Sequence, residues 1–256
     1  MNAKIKRVVI SAIPIIAFFA LWEFGARFAP KGSLKPPTSV IPATLSALFS
    51  KKERLGYQTL VSMGRIGAGF GLAAAVGNTL GFLLGTYFKR LERWLLPFFR
   101  VCEKLNPFAL IPIFMIFFGI DTKEKVALVF WVCLWPILTT TQEAAKSVDV
   151  SLVRAARSMG ANRFKVFRSV IFPFVLPSVF TGLKLGARVA FFMIVAAETY
   201  GSSSGLGWYY MRKNALYNLN LLYGSVLYIT LLAILLNYVF TRLEKRFLTW
   251  KTAAFR

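Results

Sequence analysis

Residues 66–88 read IGAGFGLAAAVGNTLGFLLGTYF, 23 positions without one charged side chain. A helix needs ~20 mostly apolar residues to cross about 30 Å of hydrocarbon, so this stretch predicts a transmembrane span. Its glycines recur at Gly67 and Gly71, then at Gly77, Gly81 and Gly85. Small residues four apart leave a groove into which a second helix backbone can sink. The stretch predicts a helix packed at the centre of a bundle or between subunits.

Five further segments have the same character, at about residues 8–28, 95–120, 126–142, 174–197 and 217–241. Together they predict an all-α integral membrane protein, a single six-helix transmembrane domain over residues 1–256. The first span follows Lys4, Lys6 and Arg7, and no small-residue cleavage pattern follows it, so it reads as a span and not as a signal peptide. Glu23 and Arg27 stand four apart near its end, the spacing of a pair on one helix face. The third carries Arg100, Glu103 and Lys104 in its first half, then Pro107 and Pro112. Prolines here, like Pro173 and Pro177 before the fifth span, each remove a helix hydrogen bond, which protein or water must compensate.

Composition agrees. Of 256 residues, 57% are hydrophobic and only 16% charged, and the mean hydropathy is +0.59. Soluble domains carry about a quarter charged residues, so a soluble enzyme is a poor reading. Lys and Arg number 32 against 10 Asp and Glu, a net charge of +22. Those charges are spread among the spans and not gathered on one soluble face, which excludes a nucleic-acid interface. With the first residues inside, the inside segments hold nearly twice the Lys and Arg of the outside ones, so both termini are expected in the cytoplasm.

Absences restrict the chemistry. The chain has no histidine, so imidazole catalysis and histidine metal sites are excluded. Cys102 and Cys133 lie in apolar stretches without CxxC spacing and read as small buried hydrophobes. No G-x-x-x-x-G-K-[ST] occurs, so if ATP drives this protein another chain hydrolyses it.

Residues 143–169 form a connection of 27 residues where 2–8 are usual in a bundle. Leu152, Val153, Ala156, Met159 and then Phe164, Val166, Phe167, Val170 recur at helical spacing among Arg154, Arg157, Arg163, Lys165 and Arg168. This predicts one or two short amphipathic helices on the cytoplasmic side, parted at Gly160-Ala161-Asn162. Pattern alone allows an interfacial helix on anionic headgroups or a docking element for a cytoplasmic partner.

The order of residues inside the loop favours docking. Arg154-Ala155-Ala156, three residues, Gly160, nine residues and Val170-Ile171-Phe172-Pro173 resemble the Glu-Ala-Ala-x3-Gly-x9-Ile-x-Leu-Pro loop of ABC importer permeases. Glu143-Ala144-Ala145 spells the motif literally, but Asp149 stands where its glycine belongs. In the copy that fits, Arg154 replaces the glutamate and Phe172 the leucine. Ser62-Met63-Gly64-Arg65, Asn106-Pro107, Ile111-Pro112, Phe118-Gly119, Leu176-Pro177-Ser178, Gly182-Leu183-Lys184, Ala196-Ala197-Glu198 and Gly205-Leu206-Gly207 are similar to the nitrate, sulfonate, taurine and bicarbonate branch. The resemblance covers roughly residues 58–235.

The resemblance implies a six-helix type I importer permease of MetI-like fold in a bacterial inner membrane, a transport subunit and not an enzyme. It implies pairing with a second permease subunit, identical or not, and contacts with cytoplasmic ATPase subunits, an extracytoplasmic substrate-binding protein and lipid. ATP and magnesium belong on the ATPase, with no cofactor or metal on this chain. The coupling residues are Arg154, Ala155, Ala156, Met159, Gly160 and Ala161. Candidates for the pathway of a small, anionic solute are Lys184 and Arg188, four apart in the fifth span, with Glu198 at its end; the other reading has Glu198 anchor a neighbouring helix or pair with Lys184, Arg188 or Arg65. Arg188 stands where small residues are usual in this branch. Gly201-Ser202-Ser203-Ser204-Gly205-Leu206-Gly207 is either part of the binding-protein surface or a flexible turn. The alternative function, an ion-coupled secondary transporter or channel, would call for intramembrane acids and internal repeats. A membrane enzyme would need chemistry that this sequence lacks.

Overall fold

The structure is a computed structural model that describes residues 3–30, 33–51, 53–120 and 122–248, with side chains from Ile13 onward. Among these residues every regular element is a helix. The order is α1 (Ala3–Phe28), α2 (Pro37–Phe49), α3 (Leu55–Phe82), α4 (Lys89–Lys104), α5 (Pro107–Phe118), α6 (Thr122–Lys146), α7 (Val150–Ser158), α8 (Arg163–Val166), α9 (Phe172–Thr199), α10 (Leu206–Ala215) and α11 (Leu219–Phe247). A π-helical turn at Leu83–Tyr87 ends α3, and another at Phe167–Ile171 carries α8 straight into α9. Among the described residues, four helical stretches are long and apolar enough to cross a membrane, Leu55–Tyr87, Thr122–Lys146, Arg163–Thr199 and Leu219–Phe247, and the bent pair α4–α5 makes a fifth if it counts as one span. The basic residues Lys251 and Arg256 lie outside the described residues, as do the side chains of Lys4, Lys6 and Arg7.

The glycine spacing of α3 sets the core. Added Cβ atoms at Gly77, Gly81 and Gly85 would meet Ile137, Thr141 and Ala145 of α6 at 3.1, 2.8 and 2.7 Å, so only hydrogen permits this approach. Gly67 and Gly71 face open space instead. On its other side α6 packs against α9, and Val129, Cys133, Ile137, Ala190 and Ile194 form a fully buried seam. α11 covers this core with one face and leaves Leu231, Ile234 and Leu235 exposed, as expected of a surface that meets lipid or another subunit. α1 is peripheral. Its Glu23 accepts from Arg27 at 3.0 Å, the pair expected from spacing, and from Thr38 of α2.

The third span departs from its expectation. Instead of one helix over 95–120, α4 and α5 meet at 96°. Pro107 forces the preceding residue out of helical geometry, and Asn106 adopts φ −67°, ψ 115°. Its side chain then accepts from the Phe108 amide at 3.0 Å and caps the new helix. Two elements went unread in the sequence: α2, which begins with Pro37 in its first turn, and α10. The loop at 143–169 is also shorter than expected, because α6 runs on to Lys146 and the helix leading into α9 begins at Arg163.

Candidate coupling element and transport groove

The candidate coupling segment is built by its caps. Asp149 accepts from the Ser151 amide at 2.8 Å and starts α7. This hydrogen bond holds its carboxyl below the usual carboxylate range, so the cap is fully present at neutral pH and is lost only as pH falls through that lowered value. At the other end the Ala161 amide donates to the Ala156 carbonyl and the Gly160 amide to that of Arg157. This pair of bonds is a Schellman stop, with Gly160 left-handed at φ +79°. The turn expected at Gly160-Ala161-Asn162 is therefore present, and Asn162 caps α8 through the Lys165 amide.

The structure separates the two alanines of the motif. Ala156 is buried with Val166, Ile171 and Val175 against the bundle, and Ala161 packs on the same cluster. Ala155 points outward with Arg154, Gly160 and Met159, the last 82% exposed. Leu152, Ala155 and Met159 thus form an outward apolar stripe on a helix whose other face is fixed to the bundle. Glu143-Ala144-Ala145, expected at the start of the loop, lies instead within α6.

Lys184 and Arg188 line one groove, and Glu198 does not. The groove has a volume of about 490 Å³ and runs between α9 and α11 from Lys184 to Thr199, ~22 Å at 1.5 Å per residue. Its walls are mostly apolar, among them Phe108, Phe191, Phe192, Val195 and Phe240. Lys184 does not offer a free charge there, because its ammonium sits 2.5 Å from Glu244 of α11. Arg188 instead donates twice to the neutral Asn237 Oδ1, at 3.2 and 3.0 Å. No carboxylate among the described residues lies within ion-pair distance of Arg188.

Glu198 anchors the opposite end of the bundle. It accepts from Arg65 Nη1 at 2.8 Å, from Ser62 Oγ at 2.8 Å and from the Gly207 amide at 3.1 Å, all buried. Arg65 also donates to the Ser204 carbonyl and to Thr122 Oγ1. Gln58 takes the Gly205 amide and Ser62 the Leu206 amide. The segment 201–207 is therefore not a free turn, since side chains of two helices, α3 and α9, hold its backbone. Gly205, at φ +111°, has the Glu198 carboxylate where a side chain would begin. Gln58 went unnoticed in the sequence, and Ser62 entered only as part of the Ser62-Met63-Gly64-Arg65 resemblance, because nothing local marks either as a partner of segment 201–207.

Comparisons with known proteins agree with this architecture. Residues 77–249 match the family model described as binding-protein-dependent transport system inner membrane component. The chain is 30% identical over 244 residues to the bicarbonate transport system permease protein CmpB of Synechocystis, covering 90% of this chain and 85% of that one. It is 27% identical to the putative aliphatic sulfonates transport permease protein SsuC of Bacillus subtilis, over 91% and 84% of the two chains. A probable ABC transporter permease protein of Brucella abortus is 27% identical over 99% of this chain and all of its own. Among solved structures, the inward-facing MetNI methionine ABC transporter superposes with a TM-score of 0.65 at 16% identity, covering 75% of this chain and 95% of its own. The chain belongs to the inner-membrane component family of binding-protein-dependent transport systems and is the permease subunit of an ABC importer.

Proposed function

We propose that this permease carries an organic anion with an apolar portion, and that Arg188 is the charge that recognises it. The observation behind the reading is the groove itself, a long apolar channel wall with one guanidinium held by a neutral amide. A cation in a span is costly and belongs toward water or a partner of opposite charge. Once Glu244 has neutralised Lys184, Arg188 is the group left to meet an anion. Of the solutes named for the relatives, an aliphatic sulfonate has an apolar body to lay against Phe191 and Phe192, and bicarbonate has none.

In this reading both termini and α7–α8 face the cytoplasm, where the basic residues collect. The outward stripe Leu152, Ala155, Met159 docks on an ATPase subunit, which holds ATP and magnesium. Two permease subunits pair, and a substrate-binding protein delivers solute at the end bearing segment 201–207. Closure of the ATPase dimer moves the two α7 knobs together, and each fixed α7–bundle unit rotates as a body to expose the groove on alternate sides. The inward-facing fold of the MetNI neighbour is compatible with such a cycle.

Arg188→Ala tests the assignment. Uptake of a short alkanesulfonate into proteoliposomes holding the whole transporter should fall about tenfold or more, the worth of a lost charge-assisted hydrogen bond. Uptake of an uncharged analogue of the same size should hardly change. Equal loss for both would contradict anion recognition.

A further inference from the structure

A second cavity lies at the end of the bundle bearing α7. It holds about 210 Å³ and is bounded by the π turn of α3, the last turn of α6 and the α7–α8 segment. Val148, Val166 and Ile171 line its apolar part, while Lys89, Lys146, Arg157 and Arg163 bring four cations to it. Lys146 is spoken for, with Glu92 at 3.0 Å and Gln142 holding the same carboxylate. Lys89, Arg157 and Arg163 have no carboxylate within ion-pair distance among the described residues. Thr86 also lines this cavity, and its Oγ1 is shut off from solvent without a hydrogen-bond partner. A helical threonine usually satisfies its hydroxyl on a carbonyl one turn back, so this one is left for something else.

Depth identifies the ligand. The π turn ends the uncharged stretch 66–88, and Lys89 is the first charge beyond it. Tyr87 and Phe88 are exposed beside it, where aromatic rings meet the headgroup layer. Three unpaired cations and a waiting hydroxyl suit the oxygens of a phosphate, and the apolar wall suits the glycerol and first methylenes attached to it.

We propose that this cavity binds a phosphate ester, presented by the headgroup of an anionic phospholipid in the leaflet on the α7 side. Two of its walls, α3 and α6, belong to the membrane bundle and the others to the coupling segment. A headgroup held there ties the knob to the bundle it must move. The leaflet is the cytoplasmic one on the orientation proposed above, but binding itself does not depend on that orientation or on transport.

The test is native mass spectrometry of the purified full chain in neutral detergent, titrated with phosphatidylglycerol or phosphatidylcholine. The chain should hold phosphatidylglycerol about tenfold more tightly. Lys89→Gln/Arg163→Gln should bring the two lipids level. Lys165→Gln/Arg168→Gln removes the same charge from nearby positions that do not line the cavity, and should keep the preference. Equal retention of both lipids by the unaltered chain, or equal loss in the two double variants, would overturn the site. Displacement of phosphatidylglycerol by glycerol phosphate at comparable concentration would assign it to a soluble ester and overturn the lipid.

Discussion

Gly160→Glu is expected to abolish ATP-driven uptake while the chain still inserts and purifies with its bundle intact. The argument rests on what surrounds the residue. Gly160 holds φ +79°, and an added Cβ would meet nothing within 4 Å. Within this chain the substitution therefore costs only the strain of a left-handed non-glycine residue, about 1–2 kcal/mol. The larger damage falls on whatever covers the outward stripe, where a carboxylate would be buried without a partner. Gly160→Ala separates the two effects, because it carries the same backbone strain without charge or bulk and should keep most of the uptake. Uptake and ATPase co-purification of both variants check this. Full uptake in the glutamate variant would remove α7 from the coupling path.

The second large effect is predicted at Arg65, far from the knob. Arg65 and Glu198 are 5% and 0% exposed at their side chains. Removing one member of such a buried pair leaves an uncompensated charge, typically about 3–5 kcal/mol. Arg65→Met should therefore lower the unfolding temperature in detergent sharply and loosen segment 201–207, which loses its hold on the Ser204 carbonyl. Arg65→Met/Glu198→Met should recover part of that stability, because no buried charge then remains. Only part returns, since Ser62 and the Gly207 amide also lose their acceptor. Thermal unfolding of the three proteins decides it. A single variant as stable as the parent would show that the pair contributes nothing to holding this end of the bundle.

Local pattern carried the reading furthest where physics is local. The uncharged stretch 66–88 announces a span because the bilayer tolerates little else, and Gly77, Gly81 and Gly85 announce close packing because they lie on one face. The turn at Gly160 was legible for a similar reason, since a glycine ending a short amphipathic run is how helices stop. The break at Asn106-Pro107 was visible in the letters too. A proline bend was expected there, but residues 95–120 read as one helix because together they have the length of a span. That Ala155 is exposed and Ala156 buried follows from their separation of about 100° on a helix, which turns them to different faces, although the motif treats them as one unit.

Charge partners were much harder to read. Lys184 is neutralised by Glu244, 60 residues away, and Glu198 by Arg65, 133 residues away. The sequence leaves Arg65 as one of three candidate partners for Glu198 and gives no sign of Glu244 as the partner of Lys184. Lys184, Arg188 and Glu198 looked like one group because they share a helix. Tertiary packing gives them three environments: an ion pair, an amide contact in the groove and a buried anchor.

The most direct measurement uses a single exposed thiol. Cys102 and Cys133 are both buried, so Met159→Cys places one accessible thiol on the outward stripe. In the assembled transporter it should cross-link to the ATPase chain, and in intact cells a membrane-impermeant thiol reagent should fail to reach it. Labelling of Cys introduced at Met159 from outside the cell, or ATP-driven uptake undiminished after complete modification, would contradict coupling through α7.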